Sequence, residues 1–360
     1  MTKSSTIKHS HSTQPAGIAY GLLSALLFGL STPFSKLLVG NIEPLMLAAL
    51  LYLGSGCGLS LLWIFKRMRS PERLNSIKRN ELPWLIGAIT FGGIISPVLL
   101  MVGLSMTMGS AGSLLLNLEG VLTAVLAWVV FKENCDRRIV LGMIAIALGG
   151  IVLTAAGQNG VALCPGCILI VLACLGWAID NNLTRQISHA EPIQIALTKG
   201  LCAGVVNLAL ACSLGATLPH PVAIASAMLV GFLGYGISLV LFVLALRYLG
   251  TARAGAYFST APFVGAIASL LILHEPLSWN LALAGAFMAV GVYLHLTEQH
   301  HHYHVHNEMS HEHEHVHDEH HQHEHTNEDP PGEPHTHAHH HAQLAHAHAH
   351  YPDLHHRHEH

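Results

Sequence analysis

The chain has 360 residues, of which 51% are hydrophobic and only 11% charged, whereas soluble globular chains carry about 25% charged residues. The charge is unevenly divided: the first 299 residues hold 16 bases and 10 acids, while residues 300–360 hold 25 of the 31 histidines, 11 acids and a single base, Arg357. The first part is too apolar for a soluble enzyme and the second too polar to bury a core, and the absence of a basic stripe argues against a nucleic-acid binder.

A helix rising ~1.5 Å per residue needs about 20 apolar residues to cross roughly 30 Å of hydrocarbon. Such stretches follow one another near 16–38, 43–65, 82–107, 110–131, 138–157, 165–186, 192–215, 222–247, 252–273 and 277–297. They predict an all-α membrane protein of about ten transmembrane helices. The first stretch is longer than a signal-peptide core and carries Ser31 and Lys36 where a cleavage site would lie, so it reads as a retained helix. Short cytoplasmic loops collect lysine and arginine. With the N-terminus inside, 15 of the 17 bases fall on one side, leaving only Lys36 and Lys199. The sequence therefore predicts a multi-pass protein of the plasma membrane with both termini cytoplasmic.

The chain also repeats itself. Glu43, Pro44, Ala48 and Gly56 recur 148 positions later as Glu191, Pro192, Ala196 and Gly204. Gly92, Ser96, Val98, Leu99 and Leu104 recur 142 positions later as Gly234, Ser238, Val240, Leu241 and Leu246, and Glu133 and Gly149 recur as Glu275 and Gly291. Five helices per copy is an odd number, so the copies cross the bilayer in opposite senses. Charge agrees: the basic 66–79 and 132–138 loops have counterparts around 218–221 and 274–276 without lysine or arginine, while the uncharged 105–110 loop has a counterpart flanked by Arg247 and Arg253. Inverted repeats place a substrate site near the midplane between the halves. The predicted organisation is a cytoplasmic segment 1–15, a first five-helix repeat 16–157, a second 158–298, and a disordered tail 299–360.

Two stretches carry a family resemblance. Ser110-Ala-Gly-Ser-Leu-Leu-Leu-Asn-Leu-Glu-Gly120, running on to Lys132-Glu133, resembles the fourth span of EamA-type permeases. Its partner, from Arg247 through Tyr257-Phe-Ser-Thr-Ala-Pro262 to His274-Glu-Pro276, resembles the ninth, and Trp177-Ala-Ile-Asp-Asn-Asn-Leu-Thr-Arg185 is similar to a subset of the group. The sequence departs from the pattern at Gly120, where the family often has proline. The resemblance, over residues 16 to 297, names the drug/metabolite transporter superfamily. It implies two EamA repeats and export or exchange of a small solute.

A charge deep in a bilayer costs about 2.5–3.5 kcal/mol, so each one calls for a reason. Glu119 lies about ten residues, or ~15 Å, into the fourth span. It reads either as a proton-coupling or substrate-contacting carboxylate, or as a packing group hydrogen-bonded to Asn117 or a neighbouring helix. Asp180 and Lys199 sit at similar depth on consecutive helices, which predicts an ion pair serving as a structural clamp or a substrate site. Asn181, Asn182 and Asn207 are expected to line the same cavity, and Tyr257, Ser259 and Thr260 are weaker lining expectations. Cys164-Pro-Gly-Cys167 lacks the strand-to-helix context of a thioredoxin-like motif and reads as a structural disulfide or as two small residues. Nothing in the chain makes a case for an enzyme or a required cofactor.

From His300 onward histidine alternates with acidic or small residues. The clusters include His311, His313, His315 and His317; His320, His321, His323 and His325; and His337, His339, His340 and His341. Neutral imidazoles favour zinc, nickel and cobalt, so the tail is expected to bind divalent metal. A pH-responsive polyelectrolyte is the other reading, because imidazoles charge near pH ~6.5. The expected partners are the bilayer, a small-molecule solute, divalent metal ions and, as a further option, a second copy in a homodimer. The function expected first is a secondary transporter with a metal-binding regulatory tail. The alternatives are a nickel, cobalt or zinc exporter and a membrane-anchored metal sensor without transport.

Overall fold

The computed structural model describes residues 14–69, 79–131, 137–155, 164–187, 191–249 and 251–296, together with 300–306, 309–315, 335–341 and 344–350 in the tail. The first repeat opens with α1 (Gln14–Val39) and α2 (Pro44–Arg69). Its third crossing runs from α3 (Leu82–Ala88) through a π-helical turn (Ile89–Ile95) into α4 (Ser96–Ser105). The fourth is broken between α5 (Gly109–Leu115) and α6 (Asn117–Phe131), and α7 (Arg137–Ala155) completes the half. The second repeat has the same plan. It comprises α8 (Pro165–Arg185), α9 (Pro192–Ser213), α10 (Pro221–Gly231) running through a π turn (Phe232–Ile237) into α11 (Ser238–Leu249), a broken crossing α12 (Thr251–Phe258) and α13 (Ala261–Ile272), and α14 (Trp279–Leu296).

Among the described residues eight crossings are long and apolar enough to span a bilayer by themselves; the exceptions are the ninth, whose apolar part is Ala261–Ile272, and the tenth, Trp279–Leu294. The ninth is short because its helix is interrupted. The hydroxyls of Ser259 and Thr260 donate to the carbonyls of Gly255 (2.9 Å) and Tyr257 (2.6 Å), and Pro262 has no N–H to give. The fourth crossing breaks at the matching position without a proline. There the Asn117 side-chain amide takes over the Leu114 carbonyl at 3.0 Å, and the helix continues through Gly120.

The packing departs from two separate halves. α1, from the first repeat, lies against α11, α12 and α13 of the second, while α8, from the second, lies against α3, α4 and α6 of the first. Each repeat has lent its first helix to the other. Ser24 and Ser238 clasp α1 to α11 reciprocally, each hydroxyl donating to the other's carbonyl at 2.7 and 2.9 Å. The repeat-related pairs α2 with α9 and α7 with α14 pack across the pseudo-symmetry relation. Small residues allow this: Gly56 meets the backbone of Gly200 and Leu201, and Gly149 and Gly291 sit opposite Ala284 and Gly142. Close backbone approach of this kind is the main source of helix association in lipid.

The tail forms its own unit. Its described residues are four short strands, β1 (His300–His306) paired antiparallel with β4 (Leu344–His350), and β2 (Met309–His315) with β3 (His335–His341). Histidine alternating with Glu, Ala or Thr has the two-residue period of a strand, which composition alone conceals.

Candidate functional site at the paired helix breaks

Both irregularities recur at the repeat offset: the π turns at 89–95 and 232–237, and the breaks at Leu116 and at Ser259–Thr260, lie 142 to 144 positions apart. Helix breaks at corresponding places in inverted repeats mark the pathway of a transporter, because backbone is freed only where something other than lipid faces it. Glu119 stands in the first turn after the first break. Its Oε1 accepts from the Asn181 side-chain amide at 2.9 Å, and that amide also lies 3.3 Å from the Thr123 hydroxyl. Asn181 and Gly120 are exposed, and nothing lies within 4 Å of where a side chain at Gly120 or Gly255 would begin. Glu119 itself is half-buried, and Asn181 is its side-chain partner among the described residues.

Helix α8 distributes its polar residues around its circumference, about 100° apart for successive residues. Asp180 faces α9 and accepts the Lys199 ammonium at 2.6 Å on Oδ1, with a second contact to Oδ2. The Thr184 hydroxyl donates to Oδ1 at 2.9 Å. Asp180 also presses on the π turn at Gly92, where any side chain would collide with its carboxylate. Asn181 turns to Glu119, and Asn182 donates to the Thr123 and Ala178 carbonyls at 3.3 and 2.9 Å. Trp177 donates its indole N–H to the Gly92 carbonyl at 2.9 Å, and the Tyr52 hydroxyl donates to the same carbonyl at 2.7 Å. Asn207 donates to the Gly93 carbonyl at 3.2 Å. These side chains occupy the carbonyls that the π turn releases, which is how a π bulge persists in a bilayer.

The sequence-predicted residues therefore sort into distinct places. Glu119 and Asn181 meet, and Asp180 and Lys199 form the expected pair, while the Asn181 side chain turns to Glu119 rather than to that pair. Asn117 does not reach Glu119: two residues apart on a helix they point to different sides, and the Asn117 amide lies 3.8 Å from the Met288 sulfur on α14. Tyr257 packs on Gly21 of α1. Tyr52, Trp177, Thr123 and Thr184 escaped the sequence reading. The signal that finds Tyr52 and Trp177 is Gly92 itself, a repeat-matched glycine that must accommodate Asp180. In the tail, His311, His313 and His315 pair in register with His339, His337 and His335. His340 and His341 lie on β3; His317, His320, His321, His323 and His325 lie outside the described residues. Among the described residues no three histidine, cysteine or carboxylate side chains gather to hold a metal.

At the opposite end of α5, the Glu275 carboxylate receives the Gly109 and Ser110 amides at 2.6 and 2.9 Å. Lys36 donates to the Leu104 carbonyl nearby. This end is the base-poor face, whereas Lys66 pairs with Glu191 at 3.6 Å on the base-rich one.

A profile of the EamA-like transporter family matches residues 15–155 and again 164–297, so each repeat is one family domain. The chain belongs to the EamA-like transporter family. An uncharacterized transporter of Methanothermobacter thermautotrophicus is 27% identical over 292 residues, covering 76% of this chain and 84% of the relative. The uncharacterized transporter YyaM of Bacillus subtilis is 23% identical and covers 73% of this chain and 90% of its own length. A crystal structure described only as that of a protein shares the fold with a TM-score of 0.58, at 16% identity, over 77% of this chain and 94% of its own. As an EamA-like protein the chain is a multi-pass transporter whose surroundings are the lipid bilayer and a small solute.

Proposed function

We propose that this EamA-like transporter is a secondary carrier that moves a small organic solute across the plasma membrane by alternating access, with both termini cytoplasmic. The observation that carries the reading is Glu119, a half-buried carboxylate in the first turn after one of two repeat-matched helix breaks, held by Asn181. A carboxylate so placed can take up a proton on one side and release it on the other, or bind a cationic group of the solute. In this reading the described conformation opens toward the base-rich face. The Glu275 contact to Gly109 and Ser110, with Lys36 on the Leu104 carbonyl, closes the base-poor one. The units that rock against each other are then α8 with α3, α4 and α6, and α1 with α11, α12 and α13, rather than the two sequence halves.

The test has two stages. A growth-tolerance screen of expressing cells against metals, amino acids and drugs selects the solute. Everted vesicles then compare wild type with Glu119→Gln, which should abolish gradient-driven uptake at unchanged expression. Unchanged uptake removes Glu119 from the mechanism.

For the tail we favour binding of zinc, nickel or cobalt as a regulatory function, on the strength of its alternating histidines. Deleting residues 300–360 separates the alternatives. A carrier regulated by metal keeps its solute flux, a metal exporter keeps a residual metal flux with altered metal dependence, and a sensor loses its activity.

A further inference from the structure

The sulfur chemistry at the start of α8 has no part in the pathway above, yet it is built with asymmetry. Cys164 is the N-cap of α8 and half-buried, outside the membrane-spanning stretch that begins at Pro165, whereas Cys167, one turn on, is 2% exposed. Both are free thiols, and the Cys167 thiol donates to the Cys164 sulfur at 2.6 Å. The Cys167 amide donates to the same sulfur at 3.3 Å, and the Thr107 hydroxyl lies 3.7 Å away. Burial disfavours the Cys164 thiolate, but the hydrogen bonds from the Cys167 thiol and amide, the Thr107 hydroxyl and the Gly166 amide outweigh it and hold this thiol below the ordinary range. The positive end of a 21-residue helix acts in the same direction.

We infer that Cys164 and Cys167 form a redox site that undergoes thiol–disulfide exchange with a disulfide-bearing oxidant, Cys164 attacking and Cys167 resolving. Two small, inert residues would not need opposite exposures with their sulfurs in mutual contact, whereas an exchanging pair needs an accessible nucleophile and a protected second thiol within reach. In the first step the Cys164 thiolate attacks an oxidant R–S–S–R, forming a Cys164–S–S–R mixed disulfide and releasing RS⁻. In the second the Cys167 sulfur attacks the Cys164 sulfur, loses its proton and releases the second RS⁻. The pair is oxidised to one intramolecular disulfide, and the oxidant is reduced to two thiols.

The place gives the reaction a consequence. The Cys164 amide donates to the Thr154 carbonyl at 2.9 Å, the Cys167 thiol lies 3.8 Å from the Leu153 carbonyl, and Gly166 packs directly on Thr107 and Met106. The pair therefore joins the end of α7, the start of α8 and the turn before α5, and oxidation withdraws the Cys167 proton from that junction. The site lies on the base-poor face, which is the oxidising external side only in the orientation proposed above. The exchange chemistry itself does not depend on that orientation.

The test uses the full-length protein in detergent with glutathione disulfide as the probe, followed by acid quench, alkylation and peptide mass spectrometry. Wild type should lose two hydrogens as a Cys164–Cys167 disulfide, on the order of tenfold faster than Cys57, Cys202 or Cys212 acquires glutathione. Cys167→Ser should trap one glutathione on Cys164, and Cys164→Ser should leave Cys167 unmodified. Wild type whose pair stays alkylatable, or modification spread evenly over all the cysteines, overturns the inference whether or not the variants fold. A membrane-impermeant maleimide applied to intact cells reads the sidedness of Cys164 separately, so a wrong orientation and an unreactive pair give different results.

Discussion

Glu275 holds Gly109 at the first turn of α5, its Oε1 accepting the Gly109 amide at 2.6 Å while its Oε2 accepts the neighbouring Ser110 amide at 2.9 Å. The two residues are 166 positions apart, one in the α13–α14 connection and the other at the start of the broken fourth crossing. Gly109 and Ser110 are buried, so their amides have little else to bind. Glu275→Ala should cost about 1–3 kcal/mol, the range for buried donors left unsatisfied. The variant should show a lower Tm in detergent, with Glu275→Gln retaining part of the loss. A Tm equal to wild type would mean that these amides find other partners.

Asp180 and Lys199 form a buried pair, with side-chain exposures of 6% and 18%. Removing one partner strands the other, at about 3–5 kcal/mol, while removing both restores much of that. Asp180→Asn and Lys199→Met should each lower thermal stability sharply, and the double variant should be more stable than either. If the pair contacts solute, transport stays lost in the stable double variant; if it is a clamp, transport returns with stability.

Ser110, Ser113 and Ser269 have buried hydroxyls with no hydrogen-bond partner among the described residues. They cluster where α5 meets α13: Gly265 lies against Ser113, and Gly109 against Ser269. An unsatisfied buried hydroxyl costs about 1–3 kcal/mol, so Ser113→Ala should raise the Tm of this conformation. Where the hydroxyls face water in the alternate state, the same substitution should slow solute flux. A Tm that falls would show that the hydroxyl is bonded.

Metal binding by the tail should depend on pH in one direction. A ligating imidazole must be neutral, so affinity is full above the ordinary histidine range and falls as pH drops through about 6.5. Titration of the full-length protein with zinc at pH 7.5 and 5.5, beside the 300–360 deletion, reads this by calorimetry. Equal heats at both pH values would assign the binding to carboxylates.

The crossings, the repeat and the family were legible because each rests on a pattern many residues long: apolar runs, loop charge, and small residues recurring at fixed offsets. The Asp180–Lys199 pair was legible because neither charge can stay alone in hydrocarbon. Of the two packing partners the sequence allows Glu119, it is the neighbouring helix, through Asn181, that meets it, because Asn117 two residues away faces another side and its amide serves the break at Leu114. The π turns left no sign that composition could reveal. Their signature is Gly92, whose carbonyl serves Trp177 and Tyr52 and whose missing side chain makes room for Asp180, contacts that become visible only once distant helices are packed. The swap of α1 and α8 was equally hidden, since both repeats present the same pattern whichever bundle a first helix joins.

That swap also governs the order of assembly. α1 leaves the ribosome well before the helices it rests on, which span residues 238–272, so it is threaded into the bilayer long before its resting place exists. Its Ser24 clasp and close-packed glycines must wait beside lipid or the insertion machinery until translation has passed residue 272, and contacts of such sequence separation are intrinsically slow to close. A chain stalled before α11 should thus carry an undocked first helix, open to quality-control proteolysis.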